Sequence, residues 1–459
     1  MLRKSYIILF FLGLFFFSFN EYEGLPILGE FKSEAGAVFF LLGFLLLIIE
    51  SGFTKKIAIP LKNPIFQIVL GFLFWCFITT VLNIQTVESN YFKHTAGINR
   101  FIRQYFALLL SSIIFFLLYY NVIRKMELKD LFFKIRKVFF WSLIVASVYG
   151  FLEILVSYFG FGFFYPILKL FDYFPFLEVY IHDKGRISSI AYEPPFFAIY
   201  LITIAGWMFS YILSEKKSWK FLPAILVLIL TFFSGSRTGL MVVLFQLIIF
   251  TTIIYKDRKI RNYFVKSFYG FLILFSVLLI FNGEKTINAI SEKVVSLNFI
   301  GNLKSNKSNQ SRFGLQYASL QVFKENPIVG VGFGQQTYHS RTHYPTWATK
   351  DNYEFDLMYK NKNVRSFPPG YNLYTRLLAE TGIIGFLILL TLIYYSIKQT
   401  KKFIKNSTGE KQILSYILLI SLSGLFINWL QIDTFRIYGI WLSLAILMRL
   451  SQEKITINE

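Results

Sequence analysis

Apolar runs recur along almost the whole chain, broken by short polar stretches. They lie at 5–19, 35–51, 64–82, 104–123, 138–159, 195–213, 219–233, 238–255, 266–282, 372–397, 411–430 and 434–450. A helix crossing a bilayer needs about 20 mostly apolar residues, within a range of roughly 17–25. The pattern therefore predicts twelve membrane helices, of which 5–19 and 219–233 are the shortest. The first run follows Arg3 and Lys4, as the apolar part of a signal peptide would. Polar residues Asn20, Glu21, Tyr22 and Glu23 follow it in place of a small-residue cleavage site, so it is expected to stay as the first helix. One stretch breaks the alternation: residues 283–370 are long, polar and rich in arginine, lysine and asparagine. The expected fold is an all-α integral membrane protein with about 12 transmembrane helices and one long extracytoplasmic loop containing short helices.

Lysines and arginines in the short connections orient the bundle, because such residues concentrate on the cytoplasmic side. Lys55, Lys56 and Lys62, the segment 124–137, Lys216, Lys217 and Lys220, and the segments 256–266 and 398–411 all fall on one side with both termini. That side is expected to be cytoplasmic. The opposite loops are 20–34, 83–103, 160–194, 234–237, 283–371 and 431–433. Loop 83–103 is mildly basic and goes against this bias, whereas long loops such as 283–371 escape it. The chain divides into N-terminal membrane helices (1–213), a region 214–450 that includes loop 283–371, and a cytoplasmic tail, 451–459.

Composition agrees with a membrane protein. Of 459 residues, 55% are hydrophobic and 16% charged, against about 25% charged in soluble domains. The single cysteine, Cys76, excludes an intramolecular disulfide and a cysteine metal cluster, and four histidines leave little room for a histidine metal site. Much of the formal charge of +21 is cytoplasmic lysine. The excess of basic over acidic residues in 283–371 has no such reason. A basic surface beside lipid suits an anionic ligand, and a lipid-linked pyrophosphate is one candidate. No nucleic-acid partner and no cofactor are expected.

Four polar motifs fall on the outer side. The first is Ser234, Gly235, Ser236, Arg237, Thr238, Gly239, a tight turn between two apolar helices. An arginine at a helix end also serves as an interfacial anchor, but a turn rich in glycine and hydroxyls leaves backbone amides free to face a phosphate beside the guanidinium. The second runs from Ser311, Arg312, Phe313 and Gly314 to an Asn326-Pro327-x-x-Gly330-x-Gly332-x-Gly334 element. Spacing predicts an amphipathic helix from 312 to 323, lying on the bilayer and ended by Asn326 and Pro327. The third follows Pro368, Pro369 and Gly370: Tyr371, Asn372, Tyr374 and Arg376 occupy the first polar turns of an entering helix, with Glu380 deeper and expected to be paired. The fourth spans 185–195. Its Arg186 lies upstream of Glu193, which precedes two prolines that open a helix. A carboxylate there can complement the helix dipole or act as a general base.

Together the motifs resemble the O-antigen ligase and polymerase superfamily of bacterial membrane proteins. The resemblance rests on Arg237 in its turn, Arg312 leading a helix, the glycines of 326–334, and Tyr371, Asn372, Tyr374, Glu380 and Gly382, and it covers about 215–400. It implies transfer of a glycan from an undecaprenyl-pyrophosphate carrier at the outer face of the cytoplasmic membrane. Polymerases extend a lipid-linked repeat unit of O-antigen, capsule or exopolysaccharide; ligases move the finished chain to a lipopolysaccharide core or a protein. By resemblance, Arg237 and Arg312 hold the pyrophosphate. Ligases usually carry histidine where this chain has Tyr371; His339 and His343 lie upstream. The Arg-x-Ser-x-x-x-x-Glu-Pro pattern of 186–194 resembles surface-polysaccharide polymerases, so the reading leans to polymerase.

The expected chemistry is a metal-independent glycosyl transfer. Arg237 and Arg312 neutralise the departing pyrophosphate, and Glu193 is the candidate base for the acceptor hydroxyl. Arg186, Arg341, His343, Arg365, Tyr371, Asn372 and Arg376 are candidate substrate-binding residues. Tyr338, Tyr344, Trp347 and Tyr353 stand either to stack on sugars or to form the loop's own core. Membrane lipids and the lipid-linked glycan are the expected partners, with a polysaccharide chain-length regulator as a candidate third. A transporter or flippase is the rival of another class, but transporters concentrate ionisable residues near the midplane.

Overall fold

A computed structural model describes residues 2–20, 22–54, 57–182, 185–255 and 306–452, with isolated positions between 291 and 303. The main helices are α1 (Leu2–Phe16), α2 (Ala35–Thr54), α3 (Pro64–Leu82), α4 (Gly97–Ile123), α5 (Leu128–Tyr158), α6 (Pro194–Ser214), α7 (Ser218–Phe233), α8 (Arg237–Ile254), α9 (Lys307–Glu325), α10 (Leu373–Asn406), α11 (Gly409–Asn428) and α12 (Tyr438–Gln452). Eight of the described helices are long and apolar enough to cross a bilayer: α2 to α6, α8, α10 and α11. Helices α1 and α12 have 15 residues each, and α7 is a short apolar helix. The span expected at 266–282 lies outside the described residues.

Helix α6 is apolar all round, and most of its residues are buried, so it forms the middle of the bundle. Small residues let its neighbours approach: Gly206 lies against Ile417 and Ser421 of α11, and Gly439 of α12 lies against Thr203. Gln246 of α8 is fully buried, and its Nε2 donates to the carbonyls of Ile202 and Ile420, 2.9 and 3.1 Å away. At the other extreme, α2 and α3 leave Leu42, Leu45, Ile48, Phe74 and Phe77 exposed, a surface that suits lipid.

One end of the bundle carries all four motifs. The amphipathic helix expected at 312–323 starts earlier, at Lys307, where Asn306 caps it by accepting from the Asn309 amide. Its buried residues include Ser311, Gly314, Ala318 and Ser319 beside Leu315 and Val322; the helix packs on α10, and Gly314 and Leu315 meet Ala348 and Phe355, so this face meets protein, not bilayer. The glycine element that follows docks into a break in α10 at Gly382. Val331 and Gly332 donate to the carbonyls of Ala379 and Glu380, each at 3.0 Å, and Ile383 donates to Pro327 O at 2.9 Å. Gly330 is required there: its φ is +71°, and a Cβ would strike the backbone of Glu380. Non-helical backbone inside a membrane helix is tolerated where protein satisfies it, and Trp75 Nε1 supplies a further bond to Thr381 O at 2.9 Å.

The loop 83–103 owes its basic character to the same end. Lys93 Nζ donates to the carbonyls of Met358 and Ser366 at 2.5 and 2.8 Å. Arg100 donates to Gly334 O at 3.0 Å while stacking on Phe367. Lys93 and Arg100 therefore clasp segment 334–367, a use that no count of charges per loop reveals.

Candidate functional site

The four motifs converge through backbone contacts. Ile187 donates to Phe233 O at 3.2 Å, which lays the 185–193 loop along the turn before Arg237. Gly235 sits at φ +67° because the Arg186 side chain crosses it; a Cβ there would lie 2.8 Å from Arg186 Nε. Ser236 caps α8 by accepting from the Gly239 amide at 3.2 Å. Across the gap, Arg237 Nη2 donates to Asn309 Oδ1 at 2.8 Å, which joins α8 to α9 one turn before Arg312.

The result is a cluster of Arg186, Arg237, Arg312 and Glu193, all half-buried. Their charges act on one another. Burial, and then Arg312, lower the basicity of Arg186. Glu193 is raised above the ordinary carboxylate range by burial, against the pull of Arg186 and Arg312. Arg186 and Arg312 thus act on one carboxylate, Arg237 adds a third guanidinium beside them, and Arg312 Nε is buried without a hydrogen-bond partner among the described residues. An unpaired buried donor costs free energy unless a ligand meets it. This surplus of positive charge suits an anion with several oxygens, such as a diphosphate, since guanidinium forks bind such oxygens in pairs.

Glu153 of α5, which the sequence reading did not assign, shapes the loop that carries Arg186 and Glu193. It is fully buried, and its two oxygens accept the amides of Ser188 (3.1 Å) and Ser189 (2.8 Å), the latter at φ +50°. Glu153→Ala should therefore weaken the fold by about 1–3 kcal/mol for each donor left bare, and distort the site. Glu153→Gln, which keeps one acceptor oxygen, should lose less. The thermal midpoint of the purified protein, measured beside its glycan product, checks both.

The remaining sequence candidates divide. Tyr371 joins the cluster: the Arg312 guanidinium lies 5.0 Å from its ring centre. Asn372 caps α10, accepting from the amides of Tyr374 (2.9 Å) and Thr375 (3.2 Å), so Tyr371 and Asn372 precede the helix instead of lying on its first turns. Arg376 belongs to a second, buried network. Its Nε pairs with Glu380 at 3.0 Å, Nη1 donates to Asp433 O at 2.6 Å, and Nη2 to Gln104 Oε1 at 3.1 Å. His343 pairs with Glu325 at 3.2 Å, and burial lowers the basicity of His339. Arg341 lies over the Phe92 ring, and Arg365 is exposed. Tyr344 packs on Phe355 and Tyr338 on Phe367, whereas Trp347 and Tyr353 are exposed.

Compared with known families, residues 198–390 match the family described as O-antigen ligase. No curated protein matches the chain.

Proposed function

We propose that this chain, which belongs to the O-antigen ligase/polymerase superfamily through residues 198–390 and so is a membrane glycan-processing enzyme, polymerises a surface polysaccharide. In this reading, a glycan passes from undecaprenyl pyrophosphate to a lipid-linked repeat unit at the outer face of the cytoplasmic membrane. The carrying observation is the clustering of Arg186, Arg237 and Arg312, with one carboxylate, Glu193, beside Arg186 and Arg312, and with Arg312 Nε buried and without a hydrogen-bond partner among the described residues. An acceptor hydroxyl oxygen bonds to the anomeric carbon. The bond from that carbon to the pyrophosphate oxygen breaks, and its electron pair leaves on the pyrophosphate. Arg237 and Arg312 meet that growing charge as fixed cations, without a metal. Glu193, whose carboxyl burial makes more basic, takes the acceptor's proton.

The ligase is the second reading, since the matched family carries that description and the match does not separate the two activities. Tyr371, where ligases usually carry histidine, and the Arg186-to-Glu193 spacing favour the polymerase. Arg237→Lys tests the pyrophosphate role, because an ammonium is a point charge and cannot form a paired fork. Loss of one such donor should lower the rate by about 100-fold. Full polymer from Arg237→Lys in a strain lacking the native copy would mean that charge alone suffices, and the fork argument would fail.

A further inference from the structure

Behind Tyr371 lies a hydrogen-bond chain whose direction can be deduced. Tyr359, a buried residue of the 354–359 turn, donates its hydroxyl to Glu354 Oε2 at 3.1 Å. The Tyr359 and Tyr371 hydroxyl oxygens are 3.1 Å apart. A phenol has one proton to give, and an ionised carboxylate can only accept. The Tyr359 proton goes to Glu354, so Tyr371 must be the donor toward Tyr359. The Tyr371 oxygen is then left with acceptor capacity alone, on the ring that Arg312 overlies. Tyr371 also holds φ at +52°, a conformation that bulky residues adopt only when their surroundings impose it and that concentrates at binding sites.

We propose that Glu354, acting through Tyr359, fixes Tyr371 as an obligate hydrogen-bond acceptor for a glycan hydroxyl beside the arginine cluster. Tyr359 and Glu354 are positioning residues; only Tyr371 touches the sugar. This rests on the glycan-transfer reading and adds a polarity to it: the site selects a sugar that presents a hydroxyl donor at this point. Gln316 fastens the arrangement from α9. Its Nε2 donates to Tyr371 O and its Oε1 accepts from Asn372 Nδ2, each at 3.4 Å.

A neutral imidazole has one donor and one acceptor nitrogen, the same pattern as a phenol donating to Tyr359. The test compares Tyr371→Phe, Tyr359→Phe and Tyr371→His, each expressed in a strain lacking the native gene. Polymer is sized per unit of membrane protein. The purified full-length variants are also titrated with undecaprenyl diphosphate. Both phenylalanine variants should lose polymer by about tenfold, as expected for one hydrogen bond removed where a polar partner stays bare. Their affinity for undecaprenyl diphosphate should stay near that of the unaltered chain, and Tyr371→His should retain most of the polymer. Normal polymer from both phenylalanine variants would overturn the proposal. So would Tyr371→His being as inactive as Tyr371→Phe. Weakened diphosphate binding matching that of Arg312→Ala would also overturn it, because the chain would then only prop the arginine. If the unaltered protein bound no undecaprenyl diphosphate, the glycan-transfer reading itself would fail, independently of these variants.

Discussion

Alanine at Arg237 or Arg312 is expected to abolish polymer while leaving the protein in the membrane. Each side chain is half-buried, and Arg237 lies near Arg186 and Arg312, whose repulsion its removal relieves. The cost falls on the reaction. Removing a single donor aimed at developing charge typically lowers the rate by about 10²–10³, below what a growing polymer tolerates. Membrane immunoblots beside glycan gels separate the two effects. Normal polymer from both variants would sink the pyrophosphate role.

Arg376→Ala should behave in the opposite way. Arg376 and Glu380 form a buried pair at 3.0 Å, and all three guanidine nitrogens already donate to protein acceptors. Removing the arginine leaves the Glu380 carboxylate buried and unpaired beside the break in α10, a change that typically costs about 3–5 kcal/mol. The expected outcome is less protein in the membrane and a lower thermal midpoint. Converting both partners to apolar residues, Arg376→Met with Glu380→Leu, should recover part of the loss, because no lone charge then remains. Wild-type stability with lost diphosphate binding in Arg376→Ala would return this residue to the substrate-binding set.

The sequence made the membrane helices and the arginine-bearing turn legible, because runs of apolar residues and a Gly/Ser turn around Arg237 are local signals. The glycines of 326–334 were readable as a turn, but not as the plug of a broken helix, since their partners are Ala379 and Glu380. Arg376 looked like a site residue because it opens a polar helix turn; only the fold supplies Gln104 and Asp433 as its acceptors. Asn309 was findable in principle, since it stands three residues before Arg312 on the same helix face. In the sequence Glu153 is only a carboxylate in an apolar run. Its partners, the Ser188 and Ser189 amides, are backbone groups whose availability no residue type reveals. The lengths of α1, α7 and α12 were less legible, because an apolar run fixes that a helix forms, whereas its end is set by caps and tertiary contacts.

The most direct test of the central claim is to size the lipid-linked and surface glycans of a strain from which this chain has been deleted. The account predicts single repeat units on the surface acceptor and the loss of long chains. Long chains stranded on the carrier lipid would contradict it in favour of a ligase, and an unchanged glycan profile would contradict it altogether.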